Sequence, residues 1–240
     1  MKDSITGSGQ LTIKGEAMSI TFTVPKGRCL PEALLPDAQR FANQLTDRAV
    51  AQVEREGQQI SCTKGCGACC RQMVPISQPE ARHLAALVAA MPQEQGLAVR
   101  SRFSLARDKM AASGLPAHGP PDGDAAAYRE FGMAYFRLEV PCPFLVEESC
   151  SIHPDRPLVC REYLVTSPPA ACAQLGSGQV RQVPVTSRVW AVFSRSTSVD
   201  GQLEWMPLVE ALDFARDHPA PIPARTGPDY VDALLKELQK

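Results

Sequence analysis

The sequence predicts an α+β protein that is mainly helical, with an N-terminal β-hairpin and with helices flanking an irregular, cysteine-rich core. Three observations support this fold class: apolar residues recur at helical spacing, two alternating segments lie near the N-terminus, and eight of nine cysteines lie between Cys62 and Cys172. We expect residues 1–58 to form the hairpin and a helix packed on the core, residues 59–180 to form a cysteine-cluster domain, and residues 181–240 to extend the same globule.

The N-terminal elements are a predicted hairpin followed by a long helix. Residues 11–14 and 19–24 alternate or are β-branched, and a short connection begins at Lys14. Residues 31–56 carry apolar side chains at helical spacing, and Gly57 is a plausible stop. This helix leads directly into the first cysteines.

Further helices are predicted between the first and second groups of cysteines. Ser77 and Glu80 have the spacing of a capping box, so a helix should run from there to about Met91. A second helix is expected over residues 93–112.

A loop rich in proline and glycine follows over residues 114–123. Asp124 is then a predicted N-cap for a helix over residues 125–138. Residues 140–172 contain too many prolines for long elements, so turns and short helices are expected there.

The C-terminal part is predicted to close the core. The apolar run over residues 183–193 fits either a strand or a buried helix, because periodicity does not separate the two. Residues 203–217 and 230–238 predict helices. The large aromatic side chains of this part are expected in the core rather than on a surface that stacks nucleobases. They are Trp190, Phe193, Trp205 and Phe214.

Charge and hydropathy argue against several classes of partner. The chain has 25 basic and 26 acidic residues and a pI near 6.4, which gives no bulk attraction to nucleic acid or an anionic membrane. The first 25 residues lack the apolar run of a signal peptide, and no segment approaches a membrane span. We therefore expect a cytoplasmic protein whose partner is a metal ion, with room for a protein partner but none for nucleic acid or membrane.

In a reducing compartment a cluster of cysteines indicates metal binding or catalysis rather than a disulfide framework. The predicted metal ligands are Cys62, Cys66, Cys69, Cys70, Cys142, Cys150, Cys160 and Cys172. The metal is predicted to be zinc or iron, the latter also as an iron–sulfur cluster, because thiolate sites suit all of these.

Small residues explain how the first cysteines can gather around one point. Gly65 and Gly67 permit positive φ angles and a tight turn, and they leave backbone N–H groups to bond sulfur. Cys69 and Cys70 are neighbours whose side chains are expected to diverge. At least one of them should therefore serve a second metal or the other face of a cluster.

Several thiolates around divalent ions carry surplus negative charge, which nearby cations could offset. The basic residues beside the cysteines are Lys64, Arg71, Arg156 and Arg161. Arg161 directly follows Cys160 and is the preferred candidate. His153 could ligate metal, but in a proline-flanked turn we expect it to form hydrogen bonds instead.

The remaining candidates have structural interpretations. Cys29 is isolated from the other cysteines and is expected to be a small buried hydrophobic residue. His83 falls on an apolar stretch of a predicted helix and should be structural. His118 and His218 lie in loops that contain proline and should be exposed to solvent.

The joint pattern resembles the YkgJ-type CxxCxxCC cysteine-cluster family of zinc- or iron-chelating domain proteins, to which flagellin N-methylase is related. The resemblance covers roughly residues 60–180 and is carried by Cys62-x3-Cys66-x2-Cys69-Cys70, Ser77-x2-Glu80, Cys142-Pro-Phe-Leu145 and Cys150-x-Ile-His153-x2-Arg156-Pro157-x2-Cys160-Arg161. The family often has Tyr where this chain has His153. Membership implies that these cysteines chelate zinc or iron, without implying a reaction.

Three hypotheses of function follow. The preferred one is a protein that chelates metal through all eight cysteines, as two sites or one polynuclear site. The second is a protein-lysine methylase-like enzyme, suggested by the relation to flagellin N-methylase. The third is a structural zinc fold with four cysteine ligands that presents a protein-binding surface. The first three cysteines also have the spacing of radical S-adenosylmethionine enzymes, but Ala68 replaces the aromatic residue common there.

Overall fold

The N-terminal hairpin is present and is longer than the sequence predicted. In the computed structural model, which describes residues 3–120, 124–174 and 178–239, strand β1 (Ser4–Ile13) pairs antiparallel with β2 (Glu16–Pro25). Lys14 and Gly15 form the two-residue turn with φ of 47° and 87°. Positive φ at both positions is typical of a type I′ turn, whose twist matches that of the strands.

The first helix also follows the prediction. Residues 31–34 form a 3₁₀ turn, and α1 (Leu35–Arg55) continues from it. The chain turns away at Gly57, which has a φ of 79°. Two-residue strands flank this region: β3 (Arg28–Cys29) precedes α1, and β4 (Pro75–Ile76) follows the first cysteines.

Helices α2 (Gln78–Ala89), α3 (Gln93–Ala112) and α4 (Ala125–Phe136) confirm the three predicted after the first cysteines. The capping box of α2 is present, and the Asp124 side chain accepts a hydrogen bond from Ala127 N–H at 2.9 Å. Helix α4 ends two residues before the predicted limit. Part of the predicted proline and glycine loop, residues 121–123, lies outside the described residues.

The proline-rich centre forms short elements, as expected. A tight hairpin of β5 (Leu145–Val146) and β6 (Ser149–Cys150) comes first. Short helices α5 (Leu158–Glu162) and α6 (Pro169–Cys172) follow it. The sequence analysis predicted no hairpin here.

In the C-terminal part, the apolar run that fitted either a strand or a buried helix contributes to a helix, α7 (Val189–Thr197). The predicted helix over 203–217 begins only at α8 (Ala211–Asp217), because β7 (Met206–Pro207) pairs with β4 and a 3₁₀ turn follows it. Strand β8 (Arg225–Thr226) pairs with β3, and α9 (Gly227–Leu238) ends the described chain. Helix α9 begins three residues earlier than predicted, because Thr226 and Asp229 form a second capping box.

The two largest apolar clusters hold most of these elements together. The first joins the hairpin, α1, α5, α7 and α9, and draws on all three predicted segments through residues such as Phe22, Leu158 and Leu234. The second joins α2, α3 and α8 with Phe144 and Ile152. In the described parts of the chain, no helix is both long and apolar enough to cross a membrane.

The large aromatic residues of the C-terminal part support the core interpretation. Phe193, Trp205 and Phe214 are buried, and Trp190 packs partly buried against the first cluster. Trp205 also meets the rings of Tyr128 and Phe131 edge-on, at centroid distances of 5.1 and 5.6 Å. These rings stabilise the fold through burial.

Candidate metal centre

All eight predicted ligand cysteines line one cavity of about 760 Å³. They reach it from the loop after α1, the segment before β5, the β5–β6 hairpin, α5 and α6. Apolar side chains from the second cluster, including Phe144, Ile152 and Leu208, complete its wall. None of the eight cysteines is in a disulfide. The fold therefore gathers thiols that are more than 100 residues apart in sequence.

The loop that carries the first four cysteines, Cys62 to Cys70, is a tight turn followed by a 3₁₀ turn over Ala68–Arg71. Gly65 has the predicted positive φ, at 88°. Gly67 does not, since its φ is −90°. Gly67 instead allows the β5–β6 hairpin to approach its backbone closely. A Cβ at this position would lie 2.9 Å from Leu145 Cδ1 and 3.2 Å from Glu148 Cα. The expectation of two positive-φ glycines was thus half wrong, and Gly67 instead makes room for the β5–β6 hairpin.

That hairpin is docked on the first cysteine loop by an ion pair. The Arg71 guanidinium donates to both Glu148 carboxylate oxygens, at 2.6 and 2.9 Å, and to the Gly67 carbonyl at 3.0 Å. Glu147 and Glu148 form the turn with φ of 47° and 56°. Cys142 N–H donates to the Cys70 carbonyl at 2.7 Å and fixes the approach of the chain. These contacts place Cys150 beside the first loop.

Backbone N–H groups bond several of the sulfurs, but not from the glycines that the sequence analysis favoured. Val165 N–H donates to Cys62 Sγ at 3.4 Å. Backbone N–H groups of Phe144 and Ile152 bond Cys142 and Cys150, which opposes the effect of burial on their pKa values. Such bonds stabilise thiolates and orient them, as around metal-bound cysteine.

Burial keeps most of these thiols protonated when no cation is present. It raises the pKa of Cys142 to about 12 and that of Cys160 well above the ordinary value of 9.0. For Cys69 the largest cause of a raised pKa is a hydrogen bond with Cys70, followed by burial. A bound metal ion would displace these protons, because thiolates are the ligands that soft cations prefer. The donor set therefore fits zinc or iron.

Neighbouring thiolates repel each other, and this repulsion adds to burial in raising several of the pKa values. The cysteines that repel each other form two groups. In one group, Cys62 and Cys172 have raised pKa values, and Cys66 acts on both of them. The other comprises Cys142, Cys150 and Cys160. The charge of a Cys69 thiolate raises the pKa values of members of both groups. The thiols of Cys69 and Cys70 interact with each other, contrary to the expected divergence of these side chains. That at least one of them serves a second metal or the other face of a cluster stays a prediction.

Several arginines act on the thiols, including Arg102 on Cys142 and Arg161 on Cys160. Arg156 lowers the pKa of both Cys69 and Cys150, against the larger effects that raise them. Arg161 is buried and donates to the Arg156 carbonyl at 3.0 Å, to the Pro154 carbonyl and to Asn43 Oδ1 at 3.3 Å. Its guanidinium thus holds the chain before α5 against α1, while its charge also interacts with Cys160 as the sequence suggested.

The other singled-out side chains lie as the sequence suggested. His153 is exposed at the cavity and accepts a hydrogen bond from Arg156 at 2.9 Å. Cys29 is buried in the first apolar cluster and does not line the cavity. His118 and His218 are exposed. Lys64 is exposed at the cavity, and Arg71 is paired with Glu148 as described above.

Gathering around a cavity is not the same as converging on one point. Among the described residues, no three His, Cys, Asp or Glu side chains come together closely enough to hold a metal ion as they stand. The shared cavity therefore supports the eight cysteines as a ligand set, and which of them bind metal is a matter of proposal.

Comparison with known proteins gives one match. No curated protein and no solved structure matches this chain. A family model described as "CxxCxxCC: putative zinc- or iron-chelating domain" matches residues 61–182, which is about half of the chain and contains all eight cavity cysteines. The chain belongs to the CxxCxxCC family of zinc- or iron-chelating domains.

Proposed function

We propose that this protein binds zinc or iron in the eight-cysteine cavity, with all eight thiols as ligands of two sites or of one polynuclear site. The observation that carries the proposal is that cysteines from five separate segments line a single cavity while none forms a disulfide. Thiols brought together in this way would be costly to leave without a cation once ionised, because their charges repel at low dielectric.

The arrangement of the two groups supports more than one metal ion. A single tetrahedral site uses four thiolates and would leave four of the eight without metal. Cys69, which acts on both groups, could join two sites or two faces of a cluster. Backbone N–H bonds to sulfur of the kind seen at Cys62 tune the reduction potential of iron–sulfur centres.

Within this proposal, iron or an iron–sulfur cluster is the preferred occupant in the cell. More than four thiolates exceed what one zinc ion requires, whereas a cluster or a pair of sites can use them. We also propose a reducing compartment such as the cytoplasm, because the cysteines must stay reduced to bind metal. When bound, zinc would stabilise the fold, and an iron–sulfur centre would add electron transfer.

Anaerobic purification from iron-replete cells tests the metal. Analysis of iron, zinc and acid-labile sulfide should find iron and sulfide together, with broad visible absorption that bleaches on reduction. A colourless protein with stoichiometric zinc and no sulfide would overturn the preference for iron. Protein that holds no metal under these conditions, and takes up none on reconstitution, would overturn the whole proposal.

Cysteine variants test the ligand set. Replacing Cys66, Cys69 or Cys160 with Ser exchanges a soft thiolate for a poor ligand, so bound metal per chain should fall. Cys29→Ser is the matched control, since Cys29 is buried in the first apolar cluster and does not line the cavity. Equal loss of metal from Cys29→Ser would show that the ligand set is wrongly assigned.

Counting protected thiols separates the proposal from a structural zinc module. Alkylation of the native metal-bound protein should spare all eight cavity cysteines if all are ligands, and only four in a closed tetrahedral zinc site. Methyl transfer to lysine stays a hypothesis, because no contact or comparison described above concerns it.

A further inference from the structure

Tyr163 brings a phenol group to the candidate metal centre. It directly follows α5, and its side chain lines the same cavity as the eight cysteines. Its O–H donates a hydrogen bond to the sulfur of Cys172, which lies at the end of α6 and is only 3% exposed. Burial raises the pKa of Cys172, and this bond opposes that effect. A hydroxyl group that is neither a thiol nor a cation therefore acts on one of the eight cysteines.

Two glutamine amides orient the phenol so that its proton faces the sulfur. Gln72 Nε2 donates to the Tyr163 hydroxyl oxygen at 3.4 Å and to the Cys172 carbonyl at 3.0 Å. The Gln182 side chain also bonds the hydroxyl. Its own amide oxygen accepts from Arg188 Nη2 at 3.2 Å, which leaves its NH2 group as the donor to Tyr163. Because a hydroxyl has two acceptor sites and one proton, the two amides fill the acceptor sites and the proton is left for Cys172.

The backbone holds this network beside the thiols. Val165 and Gln182 form an isolated β-bridge, which places the chain that carries Gln182 alongside the segment after α5. In the same segment, Val165 N–H donates to Cys62 Sγ at 3.4 Å. One short stretch of chain thus bonds two sulfurs, through a side chain at Tyr163 and through the backbone at Val165. Cys62 and Cys172, the two sulfurs, belong to the same group of mutually repelling thiols.

We propose that Tyr163 is a positioning residue of the metal centre, in which its phenol orients and tunes the metal-bound thiolate of Cys172. This role depends on the proposed metal binding and is distinct from ligation. A hydrogen bond stabilises the negative charge on sulfur, so the thiolate keeps one orientation and donates less charge to the metal. In an iron–sulfur centre the same bond raises the reduction potential, because it favours the more negative, reduced form.

The bond should act on one group of thiols and leave the other unaffected. Backbone N–H groups at the two ends of the β5–β6 hairpin bond Cys142 and Cys150. The donors to Cys62 and Cys172 come instead from the segment after α5. Removing the Tyr163 hydroxyl should therefore alter metal binding by the group with Cys172 and spare the group with Cys142.

Cobalt(II) reports on this bond whether the natural metal is zinc or iron, because thiolates bind all three and give sulfur-to-cobalt charge-transfer absorption. Tyr163→Phe keeps the ring and removes the hydroxyl. The charge-transfer band should move to longer wavelength, since a thiolate without the bond gives up an electron more easily. The cobalt dissociation constant should rise on the order of tenfold. Tyr230→Phe is the matched control, because Tyr230 is buried in the first apolar cluster and does not line the cavity.

A stronger donor and two cysteine variants make the test specific. Incorporation of 3-fluorotyrosine at all four tyrosines makes the phenol more acidic, so the band should move to shorter wavelength in the wild type and stay unmoved in Tyr163→Phe. With Cys172→Ser in place, Tyr163→Phe should cause no further shift. With Cys160→Ser in place, the full shift should remain.

Metal content separates a failure of this role from a failure of metal binding. Wild-type protein that takes up no cobalt, zinc or iron would overturn both. Protein that binds cobalt, with the same band and dissociation constant in the wild type and Tyr163→Phe, would overturn the role of Tyr163 and leave metal binding intact. The same conclusion would follow if Tyr230→Phe had an equal effect, if the fluorotyrosine shift persisted in Tyr163→Phe, or if the Tyr163→Phe shift persisted in Cys172→Ser.

Discussion

The Glu80 carboxylate accepts a hydrogen bond from the backbone N–H of Leu158 at 2.9 Å, although the two residues are 78 positions apart. Its other oxygen accepts from Ser77 N–H at 2.9 Å and from Ser77 Oγ at 2.8 Å. One buried acid therefore closes the capping box of α2 and satisfies the N-terminus of α5, the helix that carries Cys160. This contact links Ser77 and Glu80 to the position of Cys160, although neither residue lines the cavity.

Glu80→Gln should weaken both the fold and metal retention. The amide oxygen can still accept from Leu158, but the amide NH2 group cannot accept the two hydrogen bonds from Ser77. We expect a loss of about 1–3 kcal/mol in the free energy of unfolding, since a buried donor is left unsatisfied. Release of metal to a chromophoric chelator should become faster, because α5 positions Cys160.

Asp229→Asn is the control for this prediction. Asp229 accepts from Thr226 N–H at 2.8 Å and from Thr226 Oγ1 at 2.7 Å in the capping box of α9. The chemistry of the substitution is the same, but α9 carries no cysteine. Metal release from Asp229→Asn should match that of the wild type. Faster release from both variants would mean that general stability, rather than the position of α5, governs metal retention.

The accuracy of the sequence analysis follows the range of the interactions involved. Helices α2 and α4 were predicted well because Ser77 and Asp124 act on N–H groups three residues away. The Thr226 and Asp229 box has the same local signature and could have been found from it. The pairing of β3 with β8 and of β4 with β7 could not, because two-residue strands are set by tertiary contacts.

The candidate metal centre shows the same difference between local features, which were predictable, and tertiary contacts, which were not. The cysteines themselves were identifiable from their spacing and from the family resemblance. The β5–β6 hairpin was not, because its turn uses Glu147 and Glu148 at positive φ, where Asn or Gly is the usual signal. Adjacency in sequence indicated the interaction of Arg161 with Cys160 but not its second role, since its guanidinium also donates to Asn43 on α1.

The Arg71–Glu148 ion pair should hold the β5–β6 hairpin over the first cysteine loop. Both side chains are more than a third exposed, so the pair itself should contribute little to the free energy of unfolding. Glu148→Gln should nevertheless increase the alkylation rate of Cys150 in metal-free protein, because the hairpin opens more often. High salt should raise the rate for the wild type and leave the variant unchanged.

Glu147→Gln provides the matched control, since it removes the same charge from the neighbouring position of the same turn. No ion pair of Glu147 is present among the described residues. The charge-reversed double variant, Arg71→Glu with Glu148→Arg, should restore part of the protection that either single change removes. Equal effects of Glu147→Gln and Glu148→Gln would show that net charge, and not the ion pair, protects Cys150.

His83 predicts a specific dependence of stability on pH. Burial lowers its pKa from 6.5, against smaller opposing effects of Asp155 and Glu32, and its Nε2 is buried without a hydrogen-bond partner among the described residues. The unfolded ring gains a proton below about pH 6.5 and the folded ring only at lower pH. Stability from the neutral ring is therefore complete above about pH 6.5 and is lost as the pH falls toward the depressed folded value.

His83→Gln removes this titration. Urea unfolding of both proteins should show the wild type losing stability relative to the variant as the pH falls from about 7 to about 5, by at most about 1.4 kcal/mol per pH unit. Metal release in acid affects both chains and cancels in the difference. Curves that stay parallel through this range would contradict the assignment of a buried neutral histidine.

Removal of metal should loosen the β5–β6 hairpin more than the elements around it. Phe144 and Ile152 anchor its two ends in the second apolar cluster, with exposed fractions of 1% and 4%. Between them, Val146, Glu147 and Glu148 are exposed, and each strand has only two residues. This part buries too little apolar surface to offset its ordering entropy, so a metal bound to Cys142 and Cys150 would supply the missing stability.

A protease that cleaves after glutamate measures this directly. Prolonged chelation should accelerate cleavage after Glu147 and Glu148 severalfold, because cleavage requires local opening of the hairpin. Cleavage after Glu94, which is exposed in the first turn of α3, should change little and serves as the internal control. If all metal were removed and the ratio of the two cleavage rates stayed constant, the hairpin would be stable without ligands, and metal would be bound to a site that is already folded.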